Sequence, residues 1–173
     1  MILLECFFSF LLADFVSGFV HWFQDYILLQ NSRRLNPYFL RLLNNNQLHH
    51  VKPRAFLEKH WWDSSKDLVF IGIMITFIGV ITSTFNFPMI VFLVIAINGN
   101  QIHKWAHQAK HEKPLFVHFF QKIKILQSPK HHNLHHKGKM NNYYCVISNI
   151  LNPILDKINF WRFLEWLFQL TVK

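Results

Sequence analysis

Residues 2–25 read ILLECFFSFLLADFVSGFVHWFQD, and this stretch decides the fold. Its apolar run, residues 2–23, is long enough at about 1.5 Å per residue to cross a hydrocarbon core about 30 Å thick as a helix. It does not read as a secretory leader: no basic segment precedes it, no small-residue cleavage site follows it, and Glu5 and Asp14 interrupt it. It is therefore expected to stay in the mature protein. Asp14, His21 and Asp25 recur at spacings of seven and four, which lines up one polar stripe on an apolar helix. Ionisable groups at membrane depth are costly and point to function. Asp14, the deepest, can instead cap or hydrogen-bond a neighbouring helix, while Asp25 can ligate a metal or orient His21.

Outward from this stretch, two more apolar runs cover residues 68–85 and 87–102, both short for a span, with Asn86 and Pro88 marking a tight turn between them. The expected fold is an all-α integral membrane protein, residues 1–173 forming one domain. It has about three transmembrane helices (about 2–23, 68–85 and 87–102) plus interfacial helices. The alternative is a hairpin buried in a soluble protein. A composition of 51% hydrophobic and 17% aromatic residues, with 19 Phe and 6 Trp, suits a lipid-facing surface better. Residues 115–126, with Lys122 and Lys124 interleaved, and residues 160–170, rich in Phe and Trp, read as helices in the headgroup plane or packed on the spans.

All 18 Lys and Arg lie in two blocks, residues 33–66 and 104–173, giving a net charge of +9. The hairpin tip carries none, so the positive-inside rule places both blocks in the cytoplasm and the N-terminus and tip on the other side. The basic blocks border apolar runs and contain no nucleic-acid module, so anionic lipid headgroups are the expected counter-charge and no nucleic-acid partner is expected. Cys6 and Cys145 show no disulfide framework and read as free thiols.

The topology, derived without the 12 histidines, puts all of them at the cytoplasmic end of a span or in a cytoplasmic segment. They can meet in one cluster at the membrane surface. HKWAH places His103 and His107 at i and i+4 on one helix face, and His111 extends that face by a turn. HHNLHH pairs His131 with His135 and His132 with His136 at the same spacing, so four imidazoles point in two adjacent directions. A structural zinc site closes at four ligands and usually recruits thiolates, whereas here the imidazoles are too many and no Cys pair is present. About eight to ten imidazole and carboxylate ligands without thiolate suit two iron ions and oxygen chemistry. Nucleophile motifs, phosphate loops and dinucleotide fingerprints are absent, with five Gly in the chain, so electrons have to come from a separate protein.

ADFVSGFVHWFQD at residues 13–25, HHVKP at 49–53, NQIHKWAH at 100–107, SPKHHNLHH at 128–136 and YYCVISNILN at 143–152, followed by INFWRFLE, span most of the chain. With these strings it resembles the plasmanylethanolamine desaturase family, also called the Kua or CarF family, which carries a lipid desaturase domain. HKWAH has the form HX3H and His132–His136 the form HX2HH, like the histidine boxes of membrane desaturases and hydroxylases generally. The resemblance implies metal ligation by His21, His49, His50, His60, His103, His107, His131, His132, His135 and His136, with Asp25 essential nearby. His111 and His118 fall outside its motifs. Ser148 and Asn149 replace the family's usual Gly-Trp.

The implied reaction removes two hydrogens next to the ether oxygen of a 1-O-alkyl phospholipid, giving the vinyl ether of a plasmalogen. It would use two irons, O2 and an external electron donor of cytochrome b5 or ferredoxin type. A plastid relative instead desaturates an acyl chain of phosphatidylglycerol, and hydroxylases share the boxes. Animal members carry an N-terminal extension with an additional membrane segment, so a bacterial inner membrane is expected over the endoplasmic reticulum. A non-catalytic zinc-binding membrane protein is the reading from another class, against which stands the placing of nearly all histidines outside the bilayer core.

Overall fold

The computed structural model describes residues 1–137 and 140–171; Gly138, Lys139, Val172 and Lys173, inside the expected domain, lie outside the described residues. The first stretch forms helix α1, Ile2–Trp22, apolar over most of its surface, and runs on without a break into a π-helical turn, Phe23–Leu28. Such wide turns recur at functional sites because they re-aim side chains within a continuous helix, and this one carries Asp25. Helix α2, Pro37–Val51, starts where the Asn36 side chain accepts from the Phe39 amide at 3.1 Å and Pro37 fills the first turn. Helix α3, Trp61–Ile81, follows with another apolar surface.

Ile2–Leu28 and Trp61–Ile81 are long and apolar enough to cross a membrane. Most of α3 faces outward, with Phe70, Ile73, Met74, Phe77 and Ile81 all more than half exposed, a surface suited to lipid.

The third expected span does not form a single helix of spanning length. The run over residues 87–102 splits into α4, Phe87–Ile97, and α5, Gly99–His107. Eleven residues rise only about 16 Å, half of a hydrocarbon core. Asn98 makes the break: its side chain donates back to the Val94 carbonyl at 2.9 Å and accepts from the Trp61 indole at 3.1 Å, competing with the helical ladder. Among the described residues there are two helices of spanning length, with α4 packed against both. Its seam on α3 runs along Gly72 and Gly79, where a Cβ would stand 2.8 Å from Ile97 Cδ1 and 2.9 Å from Met89 Sδ.

The C-terminal half consists of short helices: α6 Leu115–Lys122, α7 Pro129–His132, α8 Leu151–Lys157 and α9 Phe160–Thr171. Both α6 and α9 bury one narrow face and expose another that is apolar: Leu115, Phe116 and Phe119 on α6, and Phe163, Trp166 and Leu170 on α9. Between α7 and α8 an extended segment, residues 142–149, lies against α1. Its Cys145 touches the helix at Gly18, where a Cβ would be 2.6 Å from the Cys145 sulfur. Trp22, Tyr144, Cys145, Leu155 and Trp161 form the core there, and Cys6 and Cys145 are free thiols.

Candidate metal centre

Four elements bring their histidines together in the interior. Helix α5 presents His103 and His107 one turn apart, as their i, i+4 spacing predicts. Helix α2 ends in His49 and His50, adjacent residues about 100° apart around the helix, so the two rings diverge. The α1 extension supplies His21 and Asp25, and α7 with the turn after it supplies His132, His135 and His136.

The ligand atoms sort into two groups, each within 4.8 Å: His49, His103, His107, His132 and His136 in one, and His21, Asp25, His50 and His135 in the other. The two HH pairs divide between them, His49 and His136 to the first and His50 and His135 to the second. The groups adjoin, the ring centroids of His50 and His136 standing 5.1 Å apart and those of His21 and His103 5.6 Å apart.

In the five-histidine group the Nε2 atoms of His103, His107 and His132 form a triangle of 2.9, 3.2 and 2.9 Å, and His136 Nε2 lies 3.0 Å from His132 Nε2. A neutral imidazole carries one proton, and a proton on one corner of a triangle can serve only one neighbour. The remaining lone pairs converge without a donor, an arrangement a cation resolves. Octahedral nitrogens about 2.1 Å from a shared ion stand about 3.0 Å apart, close to these separations. Both ring nitrogens of His49 and the Nδ1 atoms of His132 and His136 are buried without a protein hydrogen-bond partner.

Burial first and the crowding of other imidazoles second keep these rings neutral. His107 is brought down to about 4 and His136 to about 2, and His49, His103 and His132 are lowered as well. Neutral imidazole is the ligating form. A cavity of about 500 Å³, lined by His107, His132 and His136 with Pro53, Ala106 and Lys130, opens onto this group.

The second group is built around a carboxylate. Asp25 Oδ1 lies 2.7 Å from His50 Nε2, and Oδ2 lies 3.2 Å from His135 Nε2 and 3.6 Å from His21 Nε2. The buried Asn46 side chain donates to Oδ1 as well. Two imidazoles are fixed from behind: His21 Nδ1–H donates to the Tyr144 carbonyl at 3.2 Å and His135 Nδ1–H to the Asn142 carbonyl at 2.6 Å. Each carbonyl places the proton on Nδ1 and turns the Nε2 lone pair toward Asp25, as outer partners do for metal-bound histidines. Three nitrogens and a carboxylate suit a transition ion here also.

Of the eleven side chains that the family resemblance implies, these groups contain nine. His60 is exposed at the start of α3, and His131 turns away, its Nε2 3.3 Å from the Asn152 amide nitrogen and its ring 5.1 Å from that of Tyr143. Asp14 belongs to neither group. It is fully buried and accepts from the Ile147 and Ser148 amides at 3.0 and 3.1 Å and from the Ser148 hydroxyl at 2.5 Å. It thus pins an extended segment to α1. Sequence reasoning missed Asn46 and the backbone carbonyls of Asn142 and Tyr144. The signal for Asn46 was its place four residues before His50 on the same helix face; carbonyl groups leave no such signal.

The chain has known relatives. A probable fatty acid desaturase of Acanthamoeba polyphaga mimivirus is 34% identical over 161 residues, covering 91% of this chain and 77% of that protein. The plasmanylethanolamine desaturase of Myxococcus xanthus is 30% identical over 172 residues, and plasmanylethanolamine desaturase 1 of Mus musculus is 29% identical over 175. The alignments cover 91% and 92% of this chain, but only 58% and 62% of those relatives. No solved structure matches. Residues 10–172, which contain every member of both ligand groups, match the family described as the lipid desaturase domain, and the chain belongs to that family of oxidoreductases.

Proposed function

We propose that this protein is an O2-dependent di-iron membrane desaturase that converts a 1-O-alkyl ether phospholipid, plasmanylethanolamine, to the vinyl-ether plasmalogen. One observation carries the reading: two adjoining buried ligand groups, five imidazoles beside three imidazoles and a carboxylate, with no thiolate among them. Such donors suit iron, and the two groups together suit a pair of ions. The names of the Myxococcus and mouse relatives support the ether-lipid substrate.

An alkyl C–H bond is unactivated, so acid, base or nucleophile side chains cannot break it. The iron pair, when bound, supplies the oxidising power from O2. The reaction balances as one O2, two hydrogens from adjacent carbons, two electrons from the donor and two protons giving one double bond and two waters. The chain's own residues set the geometry. His103 and His107 on α5 and His49 on α2 hold the first group on rigid helices, while the wide turn of α1 carries Asp25 into the second. Burial keeps bulk water from both, and the cavity beside His107, His132 and His136 gives O2 a way in.

The apolar surfaces of α1 and α3 face the bilayer, the apolar faces of α6 and α9 rest at its surface, and the histidine groups lie toward the cytoplasm. There an electron-donor protein of cytochrome b5 or ferredoxin type reaches them. A bacterial inner membrane is the favoured location.

A second reading, desaturation of an acyl chain, is favoured by the mimivirus relative's name as a probable fatty acid desaturase. Lipid mass spectrometry on cells fed an ether-lipid precursor tests both. Acid-labile vinyl ethers that require oxygen are expected. A new acyl double bond with the ether pool unchanged selects the second reading, and no new unsaturation rejects desaturation.

A further inference from the structure

The segment between the histidine box and α8 has neither helix nor strand to satisfy its backbone, and side chains hold several of its groups instead. Tyr143 N–H donates to both carboxylate oxygens of Asp156, at 3.2 and 3.4 Å. Cys145 N–H donates to Asn152 Oδ1 at 2.9 Å, and the Cys145 carbonyl accepts from Asn152 Nδ2 at 2.7 Å and from Gln127 Nε2 at 2.6 Å. The carbonyls that alternate with these pegs, those of Asn142 and Tyr144, are the two that hold His135 and His21. Between them Tyr143 adopts φ 56°, a left-handed conformation that a bulky side chain takes up rarely and only when its surroundings fix it.

We infer that α8 is the template for the Asp25 centre: Asn152 and Asp156, one turn apart on one helix face, are positioning residues that aim the Asn142 and Tyr144 carbonyls at the Nδ1 protons of His135 and His21. Neither touches a ligand atom of either group. Asn152 is fully buried and spends its amide on both backbone groups of Cys145, and His131 closes the outer side of the segment against Asn152 and Tyr143. A role in supporting this backbone thus falls to the one histidine of HHNLHH that joins neither ligand group.

The support is selective. In the five-histidine group, His103 and His107 come from α5 and His49 from α2, and the Nδ1 atoms of His49, His132 and His136 have no protein hydrogen-bond partner. Among the described residues, the Asn142 and Tyr144 carbonyls hold none of that group's rings. Loosening α8's hold therefore weakens one centre and spares the other.

The inference rests on the two-centre reading above, and iron content read by equilibrium titration of the purified full-length protein separates the two. Wild type is expected to hold two ions. In Asn152→Ala and in Asp156→Leu one site is expected to weaken by ~10–100-fold, the range for lost outer partners, while the other keeps its affinity and helical content is unchanged. Asp156→Asn keeps an acceptor for the Tyr143 amide and is expected to hold two ions at near wild-type affinity. Asp156 is only partly buried, so its pair of variants decides the matter if Asn152→Ala does not fold. Folded Asp156→Leu with two undisturbed sites, or with both sites weakened alike, overturns the inference. A wild type that holds one ion or none overturns the two-centre reading and the inference with it.

Discussion

The five-histidine group takes most of its shape from helices: His103 and His107 share a face of α5, and His49 is buried on the inner side of α2. The Asp25 group takes its shape from irregular backbone. A π-helical turn aims Asp25, and carbonyls of the extended 142–145 segment orient His21 and His135. Helical spacing is written in the sequence as i, i+4 pairs, whereas carbonyl support has no fixed spacing: His135 and Asn142 lie 7 positions apart, His21 and Tyr144 123 apart. One site thus carries two kinds of specification, and they fail differently. Ligands on helices are lost one at a time. Ligands held by a segment are lost together when it moves.

The largest effects come from removing a ligand of each group. His103→Ala and His135→Ala are each expected to lower desaturation by more than the ~10–100-fold that outer partners cost, since each removes an imidazole from a group able to hold a metal. Product formation per enzyme and iron per chain measure this together. His103→Ala should deplete the five-histidine site first and His135→Ala the Asp25 site first. Equal depletion by both variants would merge the two groups into one unit.

Next in size is Asp14, which connects α1 to the segment serving the second group. Asp14→Ala leaves the Ile147 and Ser148 amides and the Ser148 hydroxyl buried without their acceptor, at about 1–3 kcal/mol for each buried group left unpaired. Denaturation in detergent is expected to show a loss of at least about 2 kcal/mol, with the Asp25 site the more weakened. An unchanged midpoint would mean that Gly18 packing alone holds the segment on α1.

Acid offers a third way to part the groups. His107 ordinarily titrates near 6.5 and is brought to about 4 by burial and neighbouring imidazoles. The unfolded chain therefore binds this proton more readily, and the stability associated with the neutral ring is fully present above pH 6.5 and lost as pH falls from 6.5 through about 4. His49, His103, His132 and His136 shift the same way. Metal-free protein is thus expected to melt at a lower temperature at pH 4.5 than at pH 7, and His107→Gln should flatten part of that slope. A pH-independent melting curve would show that the rings are solvated.

Much of this site was legible before any coordinates. Apolar length gave α1 and α3, and HX3H gave the pairing on α5. The break within the third apolar run stayed hidden because hydropathy does not register a side chain turned back on its own helix, as Asn98 is. His131 was drawn in with its neighbours because HHNLHH spacing looks the same for all four rings; α7 ends at His132, and the geometry beyond it is no longer helical. Asn152 and Asp156 stayed hidden because their spacing on α8 serves a backbone, and a backbone has no motif.

The smallest expected effect marks where the comparison stops. His118 lies on α6, and its Nε2–H donates to the Lys110 carbonyl at 2.6 Å, far in role from either ligand group. A hydrogen bond of this kind contributes about 0.5–1.5 kcal/mol, and at the surface water replaces the lost donor, so the net cost of His118→Ala lies at the lower end. The carbonyl it serves belongs to a short turn held separately by Glu112, which accepts from the Ala109 amide and from both terminal nitrogens of Arg54. The turn therefore survives the loss of His118. Activity is expected to stay within about twofold of wild type, with iron content unchanged and the melting temperature lowered by a few degrees at most. The discriminating measurement is iron content against activity across His118→Ala, His103→Ala and His135→Ala in one preparation. If His118→Ala lost iron as the other two do, burial and convergence would no longer distinguish a ligand from a bystander in this chain, and the division into two groups would have to be redrawn around α6.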